Sequence, residues 1–356
     1  MFSHRIWGKL WPGVLSVIVP GLVLAPTAAW NVTTSLQPAQ TGVREDSANL
    51  TVVRVFSSAE DVKALHPLLN ETLDIVAGAA GPTTRVDALK APSAVATDSR
   101  HRIFVADPGA KTVHVFDFIH SKYNRLDAGS DRLNAPIALS VDAHDNLYVI
   151  DTSSRTVLVY DSTGRFRRYL GKLRGGESYF ENPVAITVDR GTGRIYVCDR
   201  AAQMILVMDE RGKLIRKLGN RDGGEGPGEF RLPSQVVVAG RELFVLDSGN
   251  LRIQVLDTEG HFRRAIRLGY ADRHAGLAVD KQGNIYVSDP GLNQVHVFGP
   301  DGQTLHRFDL ATVKGANFSS PSGMWMDASG GLSVVDSRNN RVGMFQIKLG
   351  KELRAH

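Results

Sequence analysis

The sequence predicts an all-β protein, a six-bladed β-propeller built from four-stranded antiparallel blades. Six units recur at intervals of about 45 residues, a period typical of blade-forming repeats. The units are built from short runs rich in Val and Ile that are separated by Gly, Asp and Asn turns, a pattern that predicts antiparallel strands. One such sheet cannot bury both faces. Six sheets stacked radially can, and they leave only short edges.

The first two runs of each unit predict the inner strand of a blade and the second strand beside it. The units start at Pro92, Pro136, Pro183, Pro233, His274 and Pro321. First runs such as "PSAVATD" close on an aspartate in five units, namely at Asp98, Asp142, Asp189, Asp280 and Asp327. Second runs such as "ELFVLD" close on one in all six, at Asp107, Asp151, Asp199, Asp247, Asp289 and Asp336. A carboxylate at a strand end can accept hydrogen bonds from the next turn, so we assign these aspartates a structural role.

Third runs such as "TVHVFD" and fourth runs such as "RFRRYLG" complete the predicted blades. A bulky apolar residue lies three positions before most unit starts. These residues are Leu89, Leu133, Phe180, Phe230 and Phe318, and Ala271 is the exception. We expect the three phenylalanines to fill the gaps between consecutive blades.

Closure of the ring requires an outer strand for the sixth unit, which ends soon after its third run. The stretch "ETLDIVAG", residues 71–78, resembles a fourth run, and we predict that this N-terminal strand completes the last blade. The stretch "TVVRVF", residues 51–56, is expected to extend that blade or to pack against its rim. The predicted propeller spans residues 51–348, between a flexible tether at residues 30–50 and a tail at residues 349–356.

Residues 1–29 have the features of a signal peptide. Two basic residues, Arg5 and Lys9, precede an apolar run, and Ala28 and Ala29 suit a cleavage site. An uncleaved membrane anchor is the alternative, although Pro20 and Pro26 disfavour a continuous helix. The prediction is therefore an exported, periplasmic or extracellular protein. Its single cysteine, Cys198, has no internal partner for a disulfide.

The stretches "GNRDGGEGPGEFRLPSQVVV" and "LFVLDSGNLRIQVLDTEG" resemble the NHL repeat, and the resemblance covers about residues 72 to 348. The Asp–Asn–Arg turn of that family is present in two units, as Asp247, Asn250 and Arg252 and as Asp336, Asn339 and Arg341. With its leader, the chain is similar to secreted, single-domain bacterial NHL-repeat proteins. The resemblance implies a binding function, because NHL propellers commonly serve as protein or nucleic-acid interaction modules.

Some propellers related to NHL proteins are enzymes that hold zinc, calcium or catalytic His and Glu side chains at the innermost strands. The innermost runs of this chain contain no Glu, and His274 at one entrance is their only histidine. No set of three or four convergent zinc ligands can be assembled from the sequence. We therefore expect no catalytic residue, no metal site and no cofactor. A metal-dependent propeller lyase or lactonase-type hydrolase with a site near the central channel is the alternative.

Basic residues are dense in three predicted outer strands, around Arg167, Arg216 and Arg264. Nucleic acid is disfavoured as a partner because the net charge is only +5 and no aromatic residues are interleaved for base stacking. Charge on an outer edge strand instead discourages strand-to-strand aggregation. The partners that we expect for this monomer are a protein or an anionic envelope glycan or lipid. Membrane contact is expected only through an uncleaved leader.

The connections from the fourth run to the next unit, and from the second run to the third, should emerge together around one mouth of the channel. Arginine and tyrosine in these loops combine contact area with directed hydrogen bonds. The candidate ligand-binding residues are Arg174, Tyr179, Arg200, Arg221, Arg231, Arg273, His274 and Arg338. The sequence thus predicts an exported, non-catalytic binding scaffold that recognises its ligand through this loop-rich face.

Overall fold

Six four-stranded antiparallel sheets make up the described part of the chain. The structure is a computed structural model that describes residues 49–63, 87–126, 133–172, 177–269, 275–315 and 317–349. In blades 1 to 5 the four strands follow one another along the chain and pair in that order. The predicted six-bladed β-propeller is therefore confirmed.

Equivalent strands take equivalent places in the blades. The inner strands are β2 (Ala94–Thr97), β6 (Pro136–Val141), β10 (Pro183–Val188), β14 (Pro233–Ala239), β18 (Leu277–Val279) and β22 (Pro321–Met326). The second strands are β3 (Ile103–Asp107), β7 (Leu147–Asp151), β11 (Ile195–Asp199), β15 (Glu242–Asp247), β19 (Ile285–Asp289) and β23 (Gly331–Asp336). The third strands are β4 (Thr112–Asp117), β8 (Thr156–Tyr160), β12 (Met204–Met208), β16 (Arg252–Asp257), β20 (Gln294–Phe298) and β24 (Arg341–Lys348). The outer strands are β5 (Lys122–Arg125), β9 (Phe166–Leu170), β13 (Leu214–Gly219), β17 (Phe262–Arg267), β21 (Thr304–Asp309) and, for blade 6, β1 (Asn49–Phe56). Short 3₁₀ helices cover Ala59–Val62 and Ser248–Asn250.

The ring is closed by β1, which pairs antiparallel with β24. An N-terminal strand therefore completes the last blade, as predicted, but its identity differs from the prediction. The place beside β24 belongs to residues 49–56, so assigning it to residues 71–78 was wrong, and those residues lie outside the described part of the chain. The β-branched run in β1 is the stronger strand former, and its last residue, Phe56, is buried against the first blade.

The apolar core lies between blades, where each sheet packs on the next. Five of the bulky residues before the unit starts are buried there, one in each of five inter-blade clusters, namely Leu89, Leu133, Phe180, Phe230 and Phe318. The prediction for the three phenylalanines is confirmed: Phe230, for example, packs with Tyr196 of blade 3 and Val245 of blade 4. Ala271, the exception in sequence, lies outside the described residues.

The N-terminal and C-terminal segments are only partly covered by the structure. The predicted signal peptide and residues 30–48 of the tether lie outside the described residues, as do residues 350–356. Within the described ranges, no helix has both the length and the apolar composition needed to span a bilayer.

Candidate functional site

The propeller has two faces that differ in their connections. The entry face holds the chain segments that lead from each outer strand into the next blade, together with the turns between second and third strands. The turn face holds the turns that join inner to second strands and third to outer strands. This division follows from the antiparallel order of the four strands in each blade.

On the entry face, the aspartates that end the second strands fasten the incoming chain. Asp151 is fully buried, and its Oδ2 accepts hydrogen bonds from the backbone N–H groups of Asn134 (2.6 Å) and Ala135 (2.9 Å). Its Oδ1 accepts from the Ser153 hydroxyl at 2.6 Å and the Ser154 N–H at 3.1 Å. Burial alone would raise the pKa of Asp151, but these hydrogen bonds outweigh it and hold the pKa below its usual value.

The same arrangement recurs around the ring. Four more of these carboxylates accept at least one backbone hydrogen bond from the segment that enters their own blade, in the pairs Asp107 with Lys90 and Ala91, Asp199 with Glu181 and Asn182, Asp247 with Arg231, and Asp336 with Ser319. On the turn face, Asp98, Asp142, Asp280 and Asp327 each accept backbone N–H groups of their own turns. The aspartates therefore have a structural role, and the entry-segment bonds are a part of it that sequence reasoning missed.

The Asp–Asn–Arg turn of blade 4 holds the glycine-rich entry loop. Asn250 Nδ2 and Arg252 Nε each donate to Asp247 Oδ2 at 2.8 Å. The same two side chains then reach backbone carbonyls of the loop: Asn250 bonds to that of Gly224 at 2.8 Å, and Arg252 to that of Glu225 at 2.7 Å. In blade 6, Asn339 and Arg341 make the equivalent bonds to Asp336. The residues that carry the family resemblance thus stabilise loops.

Five of the eight candidate ligand-binding residues are described, and all five lie on the entry face: Tyr179, Arg200, Arg221, Arg231 and Arg338. The other three, Arg174, Arg273 and His274, lie outside the described residues.

The exposed arginines of blades 3 and 4 form ion pairs on the surface. Arg221 lies 2.5 Å from Glu181, which belongs to the entry segment of the preceding blade and is two residues from Tyr179. Arg231 lies 3.5 Å from Glu225. The predicted proximity of these loops is therefore present in the structure, and each guanidinium is balanced by a solvent-exposed carboxylate.

Three exposed leucines lie on the same face, and sequence reasoning missed them. Leu232, Leu251 and Leu292 have exposed fractions of 53%, 47% and 61%. The backbones of Leu232 and Leu251 are left-handed, with φ values of 49° and 50°. The position of Leu251 is held by Asn293 in blade 5, a residue type that tolerates this conformation better. A leucine at a turn position where asparagine fits better was the available signal.

The inner strands surround a central cavity of about 990 Å³. Its walls are mostly apolar, and its ionisable lining residues lie at the turn face or beside it: Asp98, His101, Asp189, Arg190, Glu242, Asp280, Lys281 and Asp327. None of the five described candidate residues lines the cavity. Among the described residues, the loops that line the cavity are therefore those of the turn face, whereas the sequence placed the ligand at the mouth on the entry face.

Histidine and cysteine side chains give no further reactive centre in the described residues. His114 Nδ1 lies 2.7 Å from the Tyr123 hydroxyl, and burial lowers the pKa of His296, which belongs to another blade. Cys198 is buried, and burial raises the pKa of its thiol. Among the described residues, no three His, Cys, Asp or Glu side chains are grouped so that they could hold a metal ion.

The basic outer strands are largely paired with acidic side chains. Arg264 binds Glu242 on the second strand of its own blade, and Arg216 lies 3.3 Å from Glu259 of the next blade. Arg167 lies 3.5 Å from Asp161. These pairs fit the interpretation of a charged outer edge.

Comparisons with known proteins agree with this architecture. The family model described as DUF5128, 6-bladed beta-propeller, matches residues 180–296, which is less than half of the chain. No curated protein matches the chain in sequence.

Solved structures with the same fold include two whose titles name enzymes. The selenomethionine-substituted virginiamycin B lyase from Staphylococcus aureus has a TM-score of 0.54 and 11% identity, over 85% of this chain and 89% of that chain. A gluconolactonase from Xanthomonas campestris has a TM-score of 0.56 and 16% identity, over 73% of this chain and 87% of that chain. At these identities the likeness shows the fold alone. By fold, the chain is a six-bladed β-propeller.

Proposed function

We propose that this protein is an exported, non-catalytic binding module that recognises another protein through the entry face of blades 3 to 5. The observation that carries the proposal is the exposure of Leu232, Leu251 and Leu292 on the face that also presents Arg221 and Arg231. The fully buried centre of a protein interface is more apolar than the rest of the surface, and arginine is enriched in interfaces.

The backbone at two of these leucines supports a role in binding. A left-handed conformation is unfavourable for a leucine by roughly 1–2 kcal/mol, and asparagine adopts it more readily. Leu232 and Leu251 nevertheless have this conformation with their side chains in solvent. The position equivalent to Leu251 is left-handed in every blade, so the conformation belongs to the turn, and what sets blade 4 apart is the exposed apolar side chain there. Burial of this side chain against a partner would offset the cost of the conformation.

The arginines fit a partner that carries carboxylates. Exposed ion pairs such as Arg221 with Glu181 contribute only about 0–1 kcal/mol, so a partner's acidic group can replace the internal one at little cost. Guanidinium groups bind carboxylates through two parallel hydrogen bonds, which gives the contact direction. An anionic glycan or lipid of the envelope would use the arginines without the leucines.

The test is capture from envelope extract by the immobilised protein. Replacing Leu232, Leu251 and Leu292 with asparagine should abolish capture of the partner while thermal stability is kept or raised, because asparagine suits the left-handed turns. A control in which Arg167 and Arg168 on the outer edge become alanine should still capture it. Loss of capture only in the edge variant would place the functional surface on the basic rim and overturn the proposal.

A variant that carries Arg221→Ala and Arg231→Ala separates the kinds of partner. Binding of a protein partner should be weakened both by this change and by the leucine changes. Binding of an anionic glycan or lipid should be lost in the arginine variant and kept in the leucine variant.

The second candidate is a metal-dependent lyase or lactonase-type hydrolase, which is favoured by the large central cavity in a fold shared with a lyase and a gluconolactonase. Zinc or calcium retained in stoichiometric amounts after dialysis of the purified protein would support this candidate against the binding module.

A further inference from the structure

The geometry points to a second binding site: we propose that the central cavity takes up a small molecule with an uncharged apolar or aromatic body, which enters from the turn face. The mouth of the cavity and the entry face lie at opposite ends of the inner strands. This site is therefore independent of the function proposed for the entry face.

Neighbouring inner strands contact each other closely at the end next to the entry face. A side chain added at Gly323 would overlap the backbone carbonyl of Ser93 in the next blade, and one at Gly276 would overlap that of Ser322. Ser93 Oγ lies 3.2 Å from the carbonyl oxygen of Ile137, again in the next blade. These contacts all lie near the starts of the inner strands, at the end next to the entry face.

At the other end the cavity is continuous with the turns between inner and second strands. Its lining includes turn residues such as Ser99, Arg190, Lys281 and Ser329, whereas among the described residues the lining at the entry end begins at Ser93 and its equivalents. The turns of the turn face thus form a mouth to the cavity, and the cavity with this mouth is called the funnel below. A ligand would enter there and extend along the axis of the ring.

The composition of the funnel wall determines the class of ligand. The inner-strand residues that line it are Ser93–Val95, Thr97, Ile137–Val141, Val184–Val188, Gln235–Ala239, Leu277–Val279 and Gly323–Met326. This set contains no ionisable side chain, so a charge held deep in the funnel would lose water without gaining an opposite charge. The size of about 990 Å³ is at the upper end of the range of small-molecule pockets.

Blade 6 supplies the adaptable part of the wall. Trp325 stands there between Met324 and Met326, and all three residues are part of the lining. Met324 is buried in the cluster between blades 5 and 6, whereas Trp325 and Met326 are half-buried. An indole offers a flat apolar face for an aromatic ligand, and methionine adjusts its shape to irregular ones. The rim carries both signs of charge, including Asp189, Arg190, Lys281 and Asp327, so it provides for a polar end group of the ligand without selecting one charge.

The experiment uses the full chain and the uncharged fluorescent probe N-phenyl-1-naphthylamine. We expect saturable binding of one probe per chain, with sensitised probe emission when tryptophan is excited. The chain has four tryptophans, at positions 7, 11, 30 and 325, so the Trp325→Phe variant isolates the contribution of the funnel wall. This variant should bind the probe with a similar Kd but lose most of the sensitised emission.

A matched pair of substitutions locates the site. Val238 is a half-buried residue of the funnel wall, and Val53 is exposed on the outer strand of blade 6. Val238→Asp should weaken probe binding at least tenfold, whereas Val53→Asp should leave it unchanged. Circular dichroism shows whether each variant is folded. If Val238→Asp does not fold, the Trp325→Phe variant alone tests the proposal: loss of sensitised emission supports the funnel as the site, and retention of it refutes the funnel.

Two results would overturn the proposal. One is probe binding that does not saturate at one equivalent in the wild-type protein. The other is binding whose sensitised emission survives Trp325→Phe and whose affinity survives a folded Val238→Asp variant.

Discussion

Replacing Phe230 with alanine should lower the free energy of unfolding by roughly 3–5 kcal/mol, the range for a fully buried phenylalanine. The side chain is 0% exposed and packs between blades 3 and 4. Burial of an aromatic side chain removes about 150–250 Å² from water, which at about 25 cal/mol per Å² corresponds to about 4–6 kcal/mol as an upper limit. Alanine recovers little of this burial, because the backbone of neighbouring blades restricts collapse of the cavity.

The measurement is thermal and urea unfolding of the purified protein. At about 2 °C for each kcal/mol in a domain of this size, Tm should fall by roughly 6–10 °C. Phe262→Ala is the matched control, because it removes the same atoms from an outer strand where the ring is 36% exposed, and it should cost about 1 kcal/mol or less. If Phe230→Ala lowers the free energy of unfolding by less than about 1 kcal/mol, or by the same amount as the control, Phe230 does not fill the gap between blades 3 and 4.

Three other predictions follow from closure, packing and charge. Removing residues 1–56 should expose the edge of β24 and cause aggregation, whereas removing residues 1–48 should leave a soluble monomer. If the two shortened proteins are equally soluble in size-exclusion chromatography, β1 does not close the ring. Gly343→Ala should lower the free energy of unfolding in urea by about 1–3 kcal/mol, because the added Cβ would overlap the Phe318 ring. Gly269→Ala should lower it by less, since a Cβ added there has no described atom within 4 Å. Equal losses in the two variants would contradict this packing. Asp151→Asn should cost about 2–3 kcal/mol near neutral pH. Because the folded-state pKa of Asp151 is lowered, this stabilisation is present above the unfolded-state pKa of about 3.9 and is lost as the pH falls through the folded value, so a stability difference that persists in strong acid would contradict it.

Much of the fold could be predicted because its determinants are local and repeated. A strand needs only a short β-branched run, and a turn needs only its Gly, Asp or Asn, so six copies of one pattern determine six similar sheets. The bulky residue before five of the six unit starts was recognised for the same reason. Its burial follows once the sheets are stacked, as Phe180, Phe230 and Phe318 show.

The closing strand could not be predicted with the same security. Residues 51–56 and 71–78 both have the composition of a strand, and an alternating pattern specifies a strand without specifying its partner. The choice depends on pairing with β24, almost the whole length of the propeller away in sequence. Burial of Phe56 in the cluster between blades 6 and 1 favours β1, and that cluster exists only after the ring has closed.

By itself, the sequence determined the number of blades, the order of strands within each blade and the structural role of the repeated aspartates, because each of these depends on residues close together in the chain. Only the tertiary structure decided which side chains are exposed and which line the central cavity. Leu251 is exposed because of where its turn lies in the folded blade, and the funnel exists because inner strands of all six blades surround one cavity. Neither feature is encoded in a local pattern, because each is set by the packing of whole blades around a common axis.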